Sequence, residues 1–193
     1  LGLQSLHKYY AHKDISERNI LIHKTSLDIK YIDFGLSCCM LSDDTYRCCK
    51  VGDELKKCVK DTSDIMYLRS PVMLLYTIFN HESFGMTEIE IAKHDDIFSL
   101  VCLIYKLANY KDEDNNGTIM DFISVMSIPM YYSHIKKTTK ITELKDIVSP
   151  HIKKSSSGDA TIDNIVNTVV NIYINNMEKT SNEIINNMLK LFE

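Results

Sequence analysis

The sequence predicts an α+β fold, mainly helical, with one small β-hairpin. Three observations predict it. Ile20-Leu21-Ile22 is a short apolar run, and Leu27-Asp28-Ile29-Lys30-Tyr31-Ile32 alternates apolar with polar. Between them His23-Lys24-Thr25-Ser26 is a polar turn, so the two strands close a hairpin. Further on, Ile97, Phe98, Leu100, Val101, Leu103, Ile104 and Leu107 make a stretch that is apolar nearly all round, as a buried helix is. With 193 residues the chain can form one domain with its own core.

Taken in order, Leu3, Leu6 and Tyr10 share one face and predict a helix over residues 1–10. Residues 12–19 are charged and loop-like. The hairpin follows, and residues 36–70 are polar and irregular, with Gly52 and scattered charge. Residues 72–79 are apolar and suit a helix, and 81–93 read as a polar connection. The acidic pair Asp95-Asp96 suits the start of the buried helix, where it meets the positive end of the dipole. Residues 109–117 read as a polar loop. Residues 120–126 and 141–148 are short helix candidates, and 153–158, with three serines, reads as a flexible linker. Over 161–174, Ile162, Ile165, Val166, Val169, Val170 and Tyr173 fall on one helical face. Thr180-Ser181-Asn182-Glu183 has the form of a capping box opening a last helix with Ile184, Ile185, Met188, Leu189 and Phe192. No internal repeat is visible.

Composition excludes some classes. The net charge of −4 gives no strongly basic surface for nucleic acid. The longest apolar stretch, residues 98–108, is broken by Lys106 and is too short to span a bilayer. No signal peptide is visible, and residue 1 is Leu, so the sequence is expected to begin inside a longer chain. Five of the six cysteines, Cys38, Cys39, Cys48, Cys49 and Cys58, cluster, and Cys102 stands apart. Adjacent Cys-Cys pairs are not usual zinc spacing, so free thiols in a reducing, cytoplasmic compartment are the expectation, with a zinc cluster as the alternative.

The chemistry gathers between His12 and Gly35. Asp14 and Asn19 sit in the loop that enters the hairpin, and Asp33 leaves its far end beside Gly35. A hairpin returns the chain to its start, so the three polar groups meet at one end of a small sheet. Two carboxylates and a carboxamide offer hard oxygens, the ligand type Mg²⁺ takes alongside substrate phosphates.

His12-x-Asp14-x4-Asn19 followed by Asp33-Phe34-Gly35 resembles the catalytic loop and metal-binding triplet of the protein kinase family. The resemblance implies a protein kinase-like fold over residues 1–193, in its large C-terminal lobe, with residues 33–72 as activation segment. It implies phosphorylation of protein Ser/Thr hydroxyls from ATP. Asp14 would accept the substrate proton, Asn19 and Asp33 would hold Mg²⁺ against the phosphates, and Gly35 completes the triplet. Leu21 would lie against the adenine, though plain core suits it equally. His12 and Phe34 read as packing residues. Tyr67-Leu68-Arg69-Ser70-Pro71-Val72 resembles the segment's closing motif, and Asp96 matches the Asp that anchors the catalytic loop, a simple helix cap being the alternative.

The chain departs from the family in four places. Lys13 stands for the usual Arg and meets a phosphate only as a point charge. Ser16 stands for the usual Lys, and Arg18 could supply the missing positive charge near the γ-phosphate. Candidate phosphorylation sites in the segment are Thr45, Tyr46, Thr62 and Ser63. Val72 replaces a Glu whose buried Arg partner is also missing, since no Arg follows Arg69. Finally, no glycine-rich phosphate loop and no strand Lys with a partner Glu can be found. The N-terminal lobe is therefore absent from this chain and expected upstream. The isolated chain would be inactive and would expose an apolar face where that lobe sits. The partners implied are ATP, Mg²⁺ and a protein substrate, with no nucleic acid and no membrane. The alternatives are an inactive pseudokinase acting as scaffold and a small-molecule phosphotransferase of kinase-like fold.

Overall fold

In the computed structural model the described residues are 2–40, 46–48, 70–79, 86–109, 140–152 and 154–193. They form an α+β arrangement of helices with two small antiparallel sheets. The elements are α1 (Gly2–Leu6), β1 (Tyr10–Ala11), β2 (Ile20–Ile22), β3 (Ile29–Tyr31), β4 (Cys38–Met40), β5 (Tyr46–Cys48), α2 (Pro71–Phe79), α3 (Glu88–Ala108), α4 (Leu144–Val148), α5 (Ala160–Asn175) and α6 (Ser181–Leu189). Single 3₁₀ turns flank α4 and follow α6.

The long helix α3 is the centre. It packs against α2, α5, α6, β1 and β4. Phe98 of α3 meets Tyr173 of α5 with ring centroids 5.8 Å apart, and both are buried with Tyr105, Ile91 and Ile97. Burial on this scale contributes about 25 cal/mol per Å² of apolar surface removed from water. The helix ends are fixed by side chains. The Thr87 hydroxyl accepts the Glu90 amide at the start of α3, and the Asp159 carboxylate accepts the amides of Thr161 and Ile162 at the start of α5. Thr180 and Glu183 make the reciprocal capping box of α6 expected from the sequence.

Several expectations are corrected. The first helix ends at Leu6, not residue 10, because Tyr10 and Ala11 are drawn into strand pairing with Cys39 and Cys38. Helix α3 begins at Glu88, inside the stretch read as a polar connection, so Asp95 and Asp96 lie in its second turn and beyond rather than at its start. The polar stretch after Leu36 contains β4 and β5. Residues 154–158 are no loose linker, because distant acceptors satisfy them. The Ser155 amide donates to Asn167, the Ser155 hydroxyl to Asp163, the Ser156 amide to Asn109 and the Ser157 amide to Asp163. Ile162 and Ile165 are exposed at 43% and 37%, and the packed stripe of α5 begins only at Val166. Leu107 and Phe192 are also exposed. The expectations for 110–126, for Thr45, Thr62 and Ser63, and for Cys49 and Cys58 fall outside the described residues.

Among the described residues no helix is long and apolar enough to cross a membrane. Val72 is fully buried, so the position holds no charge that needs a partner.

Candidate active site

Two adjacent acids on α3 organise the site. Successive helical residues project about 100° apart, so they serve different chain segments. Asp95 Oδ1 accepts the Ser70 amide at 2.7 Å, and the Ser70 hydroxyl in turn accepts the Met73 amide, which starts α2 ahead of its buried core residues. Pro71 at the first helical position suits that start. Asp96 is fully buried and serves the other side. Its Oδ2 accepts the His12 amide at 2.6 Å and its Oδ1 the Lys13 amide at 2.6 Å. The His7 Nε2–H donates to Oδ2 at 3.0 Å. The sequence left Asp96 open between a helix cap and a loop anchor, and it is the anchor.

The anchored loop is bent hard. Lys13 has a φ of 67°, a left-handed conformation that is uncommon for a residue with a side chain. The two charge-assisted bonds from Asp96 hold the backbone there. His12 is buried, and its Nε2–H donates to the Ile32 carbonyl at 2.9 Å while its ring lies 4.8 Å from that of Phe34. The Ser37 hydroxyl donates to the His12 carbonyl. His12 thus packs as the sequence suggested and ties the loop to the residues around Asp33, whereas Phe34, read as a packing residue, is 37% exposed and lies with its ring against His12.

The hairpin closes the arrangement. Ile20 pairs with Tyr31, Leu21 with Lys30 and Ile22 with Ile29. One step further, the Ile32 amide donates to the Asn19 carbonyl at 3.0 Å, so Asn19 and Asp33 stand at the same end of the sheet. The Asn19 amide nitrogen donates to both the backbone carbonyl and the carboxylate of Asp14, at 2.9 and 2.8 Å. Both acceptors lack hydrogens, which fixes the orientation of the carboxamide. Asn19 Oδ1 therefore remains as an acceptor, and Asp14 keeps one carboxylate oxygen with no hydrogen-bond partner among the described residues. Asp33 is exposed, with a φ of 59°, and its Oδ1 takes the Gly35 amide at 3.3 Å. A Cβ on residue 35 would come within 3.2 Å of that same oxygen, so glycine leaves room for the carboxylate.

This donor set fits a hard divalent cation. Asn19 Oδ1 and the Asp33 carboxylate are oxygen ligands with lone pairs left, and Mg²⁺ completes such partial sets with water and substrate phosphates. Among the described residues no group of three or more His, Cys, Asp and Glu gathers to form an all-protein metal cage. Of the remaining candidates, Leu21 is 52% exposed, which removes the plain-core alternative for it. Ser16 Oγ is buried with no hydrogen-bond partner, and Arg18 is exposed.

Sequence reasoning missed one feature. Residues 15–18 and the last turns of α3 enclose a cleft of about 220 Å³. Lys106, read in the sequence only as a break in an apolar run, donates to Glu17 Oε1 at 2.5 Å across it. That bond holds the Glu17 carboxyl below its ordinary range. Only the tertiary fold brings Glu17 and Lys106 together, so no local signal announced the pair.

Comparison with family profiles, with curated proteins and with solved structures finds no match to this chain.

Proposed function

We propose that the chain is the large, C-terminal lobe of a protein kinase, transferring the γ-phosphoryl of ATP to a protein Ser or Thr hydroxyl. The observation that supports this most is the bond from Asn19 to Asp14 on a loop whose backbone is held by the buried carboxylate of Asp96, with Asp33 at the same end of the hairpin as Asn19. In this reading the open carboxylate oxygen of Asp14 orients the attacking hydroxyl and takes its proton. The Asn19 amide keeps Asp14 turned toward that hydroxyl. Asn19 Oδ1 and Asp33 would hold Mg²⁺, which supplies charge neutralisation on the phosphates when bound. Catalysis is then mostly positioning, with little covalent chemistry asked of the protein. Leu21, exposed beside the site, offers an apolar surface to a nucleotide base. ATP binding would be completed by an N-terminal lobe encoded upstream, which brings the phosphate loop and the Lys that this chain lacks. In this reading the free thiols of Cys38, Cys39 and Cys102 suit an intracellular, reducing compartment.

The test is phosphoryl transfer from labelled ATP to a generic protein substrate, using the product of the reading frame extended upstream of Leu1. The expected result is Mg²⁺-dependent transfer that falls about 10²–10⁴-fold in Asp14→Asn, the usual contribution of a positioned general base. Unchanged transfer in that variant would overturn the assignment of Asp14. Nucleotide binding with no transfer in the parent protein would favour the pseudokinase reading.

A further inference from the structure

The cleft behind Asp14 is lined by residues that the proposed roles of Asp14, Asn19 and Asp33 leave unused. Its floor is apolar, from Ile15 and Leu103, and its rim is charged, from Glu17, Arg18 and Lys106. At about 220 Å³ it is smaller than the roughly 300–1,000 Å³ of small-molecule sites, and it suits one inserted side chain. The charges do not balance. Two cations face one carboxylate, and that carboxylate is already taken by Lys106. Arg18 makes no ion pair or hydrogen bond among the described residues. Ser16 adds a buried hydroxyl without a partner, and a native structure rarely leaves such a group unsatisfied. Glu17 is half-exposed on a loop, so a competing anion can displace it from Lys106 at little cost.

We infer that this cleft selects protein substrates by receiving an anionic side chain, a carboxylate or a phosphomonoester, between Arg18 and Lys106. The aliphatic stem of that residue would lie on Ile15 and Leu103, and its charged end would meet the guanidinium and ammonium groups. Residues 15–18 directly follow Asp14, so the anionic residue belongs to the same peptide segment as the acceptor hydroxyl. The inference rests on the phosphotransfer reading for what the bound segment is, though not for the cleft's preference in charge.

The experiment is peptide binding to the 193-residue chain, followed by fluorescence anisotropy. Four labelled peptides of one length would carry Glu, phosphoserine, Gln or Lys near a fixed Ser. The expected order is Glu or phosphoserine over Gln over Lys, each step roughly two- to fivefold, as an exposed ion pair sustains. Lys106→Glu should reverse the order and Arg18→Gln should flatten it, with circular dichroism reporting that both variants fold. Equal binding of the Glu and Gln peptides would overturn the inference, and so would discrimination that survives in both variants. Inorganic phosphate competing as well as the Glu peptide would also overturn it, by making the cleft a site for free anions. Mg²⁺–ATP binding by the upstream-extended product and by its Asp33→Asn variant separates the two readings. Charge selection without Asp33-dependent nucleotide binding keeps the cleft and removes the phosphotransfer reading. The converse result removes the cleft alone.

Discussion

Asp96 Oδ1 accepts the amide of Lys13 at 2.6 Å while Lys13 stands at a φ of 67°. A left-handed residue with a side chain costs roughly 1–3 kcal/mol and persists only where its surroundings hold it. Here the hold is one buried carboxylate, shared with the His12 amide and His7. Asp96→Ala should therefore destabilise the chain by about 3 kcal/mol or more, since each orphaned buried donor costs about 1–3 kcal/mol. Asp96→Asn should cost less, because its carbonyl still accepts one amide. Urea denaturation midpoints of the two variants check this, and equal midpoints for Asp96→Ala and the parent would refute it.

Stability should fall in mild acid because of His94. Burial is the main cause that lowers its pKa below the ordinary 6.5, against a raising effect from its hydrogen bond to the Lys179 carbonyl. The folded chain then keeps His94 neutral where the unfolded chain would protonate it. The stabilising contribution is complete above the unfolded value of 6.5 and is lost as pH falls from there toward the lower folded value. The slope from one such group is at most about 1.4 kcal/mol per pH unit. His94→Gln, whose amide can still donate to Lys179, should show a shallower decline between pH 7 and 5 in thermal melts.

The Ser155 hydroxyl donates to Asp163 at 2.7 Å and accepts from Asn109 at 3.1 Å, joining the ends of α3 and α5. Ser155→Ala removes both bonds at a buried position. A loss of about 1–3 kcal/mol is expected. Limited proteolysis offers a second readout. Residues 154–158 should resist cleavage in the parent chain and be cut in the variant.

Gly35→Ala should weaken cation binding while leaving the fold intact. The added methyl would press on Asp33 Oδ1 from 3.2 Å and turn the carboxylate. Calorimetric titration with Mn²⁺, which shares the oxygen preference of Mg²⁺, should show weaker binding than in the parent. Unchanged binding would separate Asp33 from the metal.

Much of the site was legible because its parts are local. The hairpin showed as an apolar run, a polar turn and an alternating run, and it places Asn19 beside Ile32 as those patterns require. The capping box at Thr180 was legible for the same reason. What failed was long-range. Pairing of Tyr10 with Cys39 overrode a helical spacing, and acceptors on Asn109, Asp163 and Asn167 ordered a serine run that looked loose. The start of α3 was misplaced because acidic residues suit a helix N-terminus wherever they occur. Here their role is to grip Ser70 and the loop at residues 12–13 from mid-helix.

Among the described residues β2 and β3 pair only with each other, as a two-stranded sheet, and Leu21, Ile22, Leu27 and Ile29 are all exposed. A two-stranded ribbon of this kind is marginal in water on its own. Its root is different, since His12 fastens the Ile32 carbonyl to the core. Order along the ribbon is therefore graded. Any opening of the exposed strands is expected to be arrested at Ile32, where His12 holds the carbonyl. The oxygens of Asn19 and Asp33 lie at the arrested end, so breathing of the tip need not disturb them.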